Sequence, residues 1–244
     1  MQVEPNVVIT EFIINMDNVY HDYDNTNLDV SERVKEQAQS LAEHDVPFYV
    51  LTNSPDQAVD KDKFHIVNIE LFQHYSGISI FFYRLLMAYD FLQAHPEIEK
   101  AALTDASDVT MLNYPFDNIQ DDTLYMGDEW GLLGDTWIIN TNNSPYFIKK
   151  FIAEHQMLPT VNMGLIIGTR AILLEFLGII LKLITESSLK IQQGDESAAL
   201  GKYDMEIGNY VAYRYFADRL VHGREVSTIL QGFQSTNSAW FKHK

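Results

Sequence analysis

The sequence predicts an α/β domain built on a mixed, mainly parallel sheet flanked by helices. Three observations predict it. Short, continuous β-branched runs recur along the chain, as expected of strands covered on both faces. Helical apolar patterns alternate with them, which is the rhythm of βαβ units. The 244 residues, 46% hydrophobic and 21% charged, suffice for one sizeable core and exclude a disordered chain.

The first strand is Val7-Val8-Ile9-Thr10-Glu11-Phe12-Ile13-Ile14. An acidic, Asn-rich loop follows, beginning at Asn15-Met16-Asp17-Asn18 and reaching Asp29. Ser31 reads as a helix N-cap, and Val34, Ala38, Leu41 and Ala42 give that helix its apolar face. Pro47 to Thr52 is a second strand closed by Asn53-Ser54-Pro55, and Phe64 to Ile69 is a third. A long helix is predicted over 78–95, where Pro96 ends it. Arg84 is the single Lys or Arg within that helix. It is either a solvated position or a bidentate donor to a diphosphate.

The stretch Ala101-Ala102-Leu103-Thr104-Asp105-Ala106-Ser107-Asp108-Val109 is the centre of the chain. An apolar strand delivers two aspartates at its carboxyl end, where open α/β sheets bind ligands. Two hard oxygen donors suit a divalent cation that also grips phosphate. An ordinary strand-to-loop transition, with one aspartate capping the turn, is the alternative.

Thr123 to Met126 is a further strand, followed by Gly127-Asp128-Glu129-Trp130-Gly131 as either a sugar-contacting edge or an exposed acidic turn. A short strand is expected at Trp137-Ile138-Ile139 and a helix over 146–155. The segment 159–170 reads as a strand containing Asn162-Met163-Gly164, feeding an apolar helix from Ala171 to Ile184. That helix carries Glu175 and Lys182 and is too short for a bilayer. A final amphipathic helix opens near Asp204 and runs to about Leu220. In its first turn, Asp204 and Glu206 favour the helix dipole. The tail, Gly232-Phe233-Gln234 through Trp240-Phe241-Lys242-His243-Lys244, is either an anion-binding patch or a frayed end.

With 17 basic and 34 acidic residues the formal charge is −17, which repels nucleic acid and anionic membranes. An anionic substrate therefore needs a local cation. There is no cysteine, so disulfide and thiolate chemistry are excluded. Met1 to Pro5 lacks the basic region of a secretory signal, and a cytoplasmic location is expected.

The ordered set Leu103-Thr104-Asp105-Ala106-Ser107-Asp108-Val109, Asn162-Met163-Gly164-Leu165-Ile166-Ile167-Gly168, Asp204 and Trp240-Phe241-Lys242-His243-Lys244 resembles nucleotide-sugar glycosyltransferases of the GT-A fold. The D-x-x-D spacing resembles collagen-type glycosyltransferase domains associated with lysyl hydroxylases. The resemblance spans nearly the whole chain. It implies a single glycosyltransferase domain over 1–244, with 1–112 as the nucleotide-binding half and 113–244 as the acceptor-side half. It implies transfer from a nucleoside-diphosphate sugar, UDP rather than GDP, to a glycan or other hydroxyl acceptor.

On the same resemblance, Asp105, Asp108 and His243 would hold Mn²⁺ or Mg²⁺, and Lys244 or Lys242 would touch phosphate. Thr10, Phe12, Thr52 and Asn53 would line the nucleotide edge, with Ser107 in the same donor-binding set. Arg84 would contact the donor, and Asn162 and Gly164 would line the sugar or acceptor side. Asp204, Asp128 and Glu129 are the candidates for a catalytic base. The spacing departs from the usual D-x-D, because residues three apart on an extended strand do not face one way. Both aspartates share an ion only if Ala106-Ser107 makes a turn. His222 competes with His243 as third ligand. The rival readings are a non-catalytic nucleotide-sugar-binding module and another metal-dependent phosphoryl or nucleotidyl transferase. A phosphatase with an aspartyl nucleophile on its first strand is disfavoured by Thr10-Glu11-Phe12.

Overall fold

A computed structural model of the chain describes residues 2–16, 28–71, 78–135, 143–228 and 238–243. The expected strand at 137–139, most of the acidic loop after Asp17, the tail at 232–234 and Lys244 lie outside the described residues.

The core is an eight-stranded mixed, mainly parallel sheet flanked by helices, in the order β3-β4-β2-β1-β5-β8-β7-β9. Four strands are parallel: β1 (Asn6–Glu11), β2 (Phe48–Thr52), β4 (Phe64–Asn68) and β5 (Lys100–Thr104). The edge strand β3 (Val59–Lys61) runs antiparallel to β4. On the other side β8 (Pro159–Thr169) is antiparallel to β5, and β7 (Leu124–Leu132) is antiparallel to β8. Strand β9 (Leu220–His222) is parallel to β7. A separate two-stranded ribbon pairs β6 (Val109–Met111) with β10 (Phe241–His243).

The continuous apolar runs reflect burial on both faces. Val7, Ile9, Tyr49, Leu51, Ala101 and Leu103 point into one core, under α3 (Ile80–Ala94), α5 (Arg170–Gln192) and α6 (Met205–Tyr215). Val8, Phe48, Val50 and Ala102 point into the other, under α1 (Val30–Arg33), α2 (Lys35–Glu43) and the ribbon. Period-two alternation thus sorts every second residue into each core. A further helix, α4 (Tyr146–Glu154), adds Ile148, Phe151 and Ile152 to the first core.

Several boundaries differ from the sequence expectation. The first strand stops at Glu11. Asp29, not Ser31, caps α1, its carboxylate accepting from Glu32 N. The segment 127–131 is no turn: it continues β7, with register shifts against β8 at Met126/Gly127 and Asp128/Leu132. Gly127 permits the close approach there, since a Cβ would lie 3.1 Å from Ser227 Oγ and 3.2 Å from Leu165 Cβ. The last helix ends at Tyr215, and 220–222 form β9 instead. The apolar helix is longer than expected, running from Arg170 to Gln192, yet no helix among the described residues is long and apolar enough to cross a membrane.

Strand order positions the site. From β1 the chain steps outward to β2 and β4, then returns to β5 on the other flank of β1. Such a reversal, at the carboxyl ends of β1 and β5, is where open α/β sheets bind their ligands. Thr10 and Thr104 are paired in register, so Glu11 and Asp105 leave adjacent strands at one level.

Candidate metal centre

Asp105 follows the last residue of β5, and its N–H donates to Gly164 O (2.8 Å). Residues 106–108 then form the turn that D-x-x-D spacing requires. Ala106 is buried in the second core while Ser107 is exposed, so the turn is anchored on one side only. It carries Asp108 round to the start of β6.

His243 arrives through the ribbon. Phe241, Lys242 and His243 pair with Met111, Thr110 and Val109, which sets the imidazole beside the Asp108 turn. The aromatic tail is structural rather than an exposed patch: Trp240 is 4% exposed and Phe241 is fully buried. The Trp240 ring packs on Tyr125 with centroids 5.1 Å apart. Its carbonyl accepts from Leu112 N and Asn113 N, and Phe241 N donates to Val226 O. His243 N donates to Thr228 Oγ1 (3.2 Å).

Asp105, Asp108 and His243 each offer one ligand atom, all within 4.8 Å of one another. His243 Nε2 is 3.8 Å from Asp105 Oδ2 and 3.8 Å from Asp108 Oδ2. That is beyond hydrogen-bond reach. It lies within the roughly 4.2 Å allowed to two ligands each about 2.1 Å from one ion. The imidazole is almost wholly buried while the carboxylates are about one-third exposed, so the group opens to solvent on the carboxylate side. Gly164 makes the cradle: a Cβ there would collide with the Asp105 carboxylate and lie 2.9 Å from His243 Cε1. Two carboxylates and one imidazole form a donor set suited to a divalent cation.

Behind this group lies a buried charge network. Arg84 Nη1 donates to Asp105 Oδ1, Nη2 donates to Met163 O, and Nε is 3.3 Å from Asp204 Oδ2. Burial alone would lower the guanidinium pKa, but Asp105, Asp204 and Glu11 outweigh it and hold the group charged. Glu11 Oε1 is shut off from water with no hydrogen-bond partner among the described residues. Burial pushes the Glu11 carboxyl up to about 8; Arg84 opposes the shift, while Asp105 and Asp204 add to it. Sequence reasoning missed Glu11. Its signal was an acid at the carboxyl end of a doubly covered strand, next in register to Asp105.

The other expected residues lie as follows. Thr10 Oγ1 donates to Thr104 O (2.6 Å) and is fully buried. Thr52 is fully buried, and its hydroxyl accepts from Ser54 N. Asn53 exchanges two hydrogen bonds with the Ile14 backbone, fixing the loop after β1. Phe12, partly buried, packs on the second core. Three of these four side chains are thus already engaged within the protein.

Asn162 bridges two regions: its Oδ1 accepts from Gly164 N (2.6 Å), and its Nδ2 donates to Glu129 Oε2 (2.6 Å). Asp128, beside it on β7, pairs with His222 Nδ1 at 2.7 Å. His222 is thus tied to Asp128, while His243 is the histidine gathered with the two aspartates. Asp204 is 3% exposed and precedes α6 without capping it through its side chain. Trp130, 68% exposed, stands on the same strand as Asp128 and Glu129. Neither a protein-family model nor a curated protein matches the chain.

Proposed function

We propose that the chain is a metal-dependent glycosyltransferase of GT-A type, moving a sugar from a nucleoside-diphosphate donor, UDP in preference to GDP, to a glycan or other hydroxyl acceptor. The observation that carries the reading is the gathering of Asp105, Asp108 and His243 at the carboxyl end of β5, beside the switch in strand order. These residues would hold Mn²⁺ or Mg²⁺, with Mn²⁺ favoured because an imidazole joins the carboxylates. Bound there, such an ion supplies Lewis-acid stabilisation of a leaving diphosphate, worth several kcal/mol.

The chain's own residues do the rest. The loop ordered by Asn53 and the ends of β1 and β2 form the crevice wall for the nucleotide. With Asp204 buried and paired to Arg84, the base that accepts the acceptor hydroxyl's proton is better sought at Asp128 or Glu129. Exposed Trp130 beside them offers a flat face to a sugar ring. We place the enzyme in the cytoplasm, in keeping with its lack of cysteine.

The test is a panel of nucleotide sugars with Mn²⁺, scored for free nucleoside diphosphate. Release from one donor, abolished by EDTA and by Asp108→Asn, is the expected result. Tight donor binding without release would favour the non-catalytic module. Full turnover in Asp108→Asn would sink the metal-dependent reading.

A further inference from the structure

The guanidinium of Arg84 is spent inside the protein and joins four segments. Helix α3 carries it, Asp105 follows β5, Met163 lies in β8 and Asp204 precedes α6. Its side chain is 15% exposed. The Asp105 carboxylate has two chemically equal oxygens, yet here they are assigned. Oδ1 takes the guanidinium N–H, and Oδ2 lies 3.8 Å from His243 Nε2. Gly164 limits the carboxylate from the other side.

We infer that Arg84 is a positioning residue. It holds Asp105 by one oxygen so that the other is presented, beside Asp108 and His243, as one ligand for a divalent cation. It does not itself bind the donor. This inference rests on the metal reading above and gives Arg84 a different task from the donor contact that the family resemblance implied.

Electrostatics alone predicts the opposite sign, and that makes the idea testable. A guanidinium next to a cation site repels the cation, so deleting the charge by itself tightens binding. If Arg84 works by holding Asp105, deleting it weakens binding. The expected loss is about 10–100-fold, the usual cost of removing an outer partner of a metal ligand. Lys keeps the charge but lacks the planar fork that reaches several acceptors together.

Mn²⁺ alone is titrated into the full chain, and the free ion is followed by electron paramagnetic resonance. Thermal unfolding in EDTA checks that each variant is folded. Arg84→Gln and Arg84→Lys are both expected to bind Mn²⁺ about 10–100-fold more weakly than the parent. Binding by Arg84→Gln that is equal to or tighter than the parent's overturns the positioning role. Should that variant not fold, parental affinity in Arg84→Lys overturns it instead. A parent chain that takes up no Mn²⁺ removes the metal reading and this inference together, an outcome distinct from unchanged variants.

Discussion

Replacing Glu11 by Gln should change how stability depends on pH. The carboxyl pKa is 4.5 when unperturbed and rises to about 8 in the folded chain, because burial disfavours its charge. Between those values the folded state keeps a proton that the unfolded state has released. Stability then falls as pH rises, since its slope follows protons bound in the unfolded state minus those bound in the native state. The favourable contribution is fully present below about pH 4.5 and is lost as pH climbs through about 8. At about 1.4 kcal/mol per pH unit the loss is about 3–5 kcal/mol, the lower figure allowing for solvent near a partly exposed side chain. Gln carries no charge at any pH, so the variant should gain that amount on the parent between pH 4.5 and pH 8.5. Urea unfolding in EDTA at pH 5, 6.5, 7.5 and 8.5 measures the difference, with other titrating groups common to both chains. Parallel curves for the two proteins would refute the reasoning. With Mn²⁺ present the gap should narrow, because a nearby cation favours the ionised carboxylate.

Further outcomes follow from the site and the ribbon behind it. His243→Asn should lower Mn²⁺ affinity by at least about 100-fold, the upper range for an outer partner, whereas His222→Asn, which loses the Asp128 pairing and the edge contact with Tyr213, should leave it unchanged in calorimetry. Trp240→Ala should destabilise the chain by about 3–5 kcal/mol in urea unfolding, because the ring is buried against Tyr125; it should also weaken Mn²⁺ uptake, since the ribbon delivers His243.

The central strands were legible: β1, β2 and β5 are short, mostly apolar stretches buried along nearly their whole length, and their shortness between turn signals, rather than any period, separates them from a buried helix. The extension of β7 through Gly127-Asp128-Glu129-Trp130-Gly131 was not, because its local chemistry is that of a turn and only pairing with β8 and bulging at Gly127 make it extended. Strands β9 and β10 are three residues long, too short for any periodicity. They exist because β7 and β6 offer open edges. At the site, Asp105 and Asp108 stood out by their place after an apolar run, and the Lys-His-Lys setting singled out His243. The partners of Arg84 were illegible, since Asp105, Met163 and Asp204 meet it only through tertiary packing. The pairing of Asp128 with His222 was hidden for the same reason.

The ribbon of β6 and β10 has a mechanical corollary. Asp108 lies in the turn immediately before β6, and His243 is the last residue of β10, far apart along the chain, so an ion shared between them would rivet the two strands. Ligand present at 100 times its dissociation constant adds about 2.7 kcal/mol to the bound form. Much of that would fall on the segment carrying His243, whose peeling away would strip a ligand from the ion. Seating of the far segment and cation occupancy would then be a single reversible event, and each would report on the other.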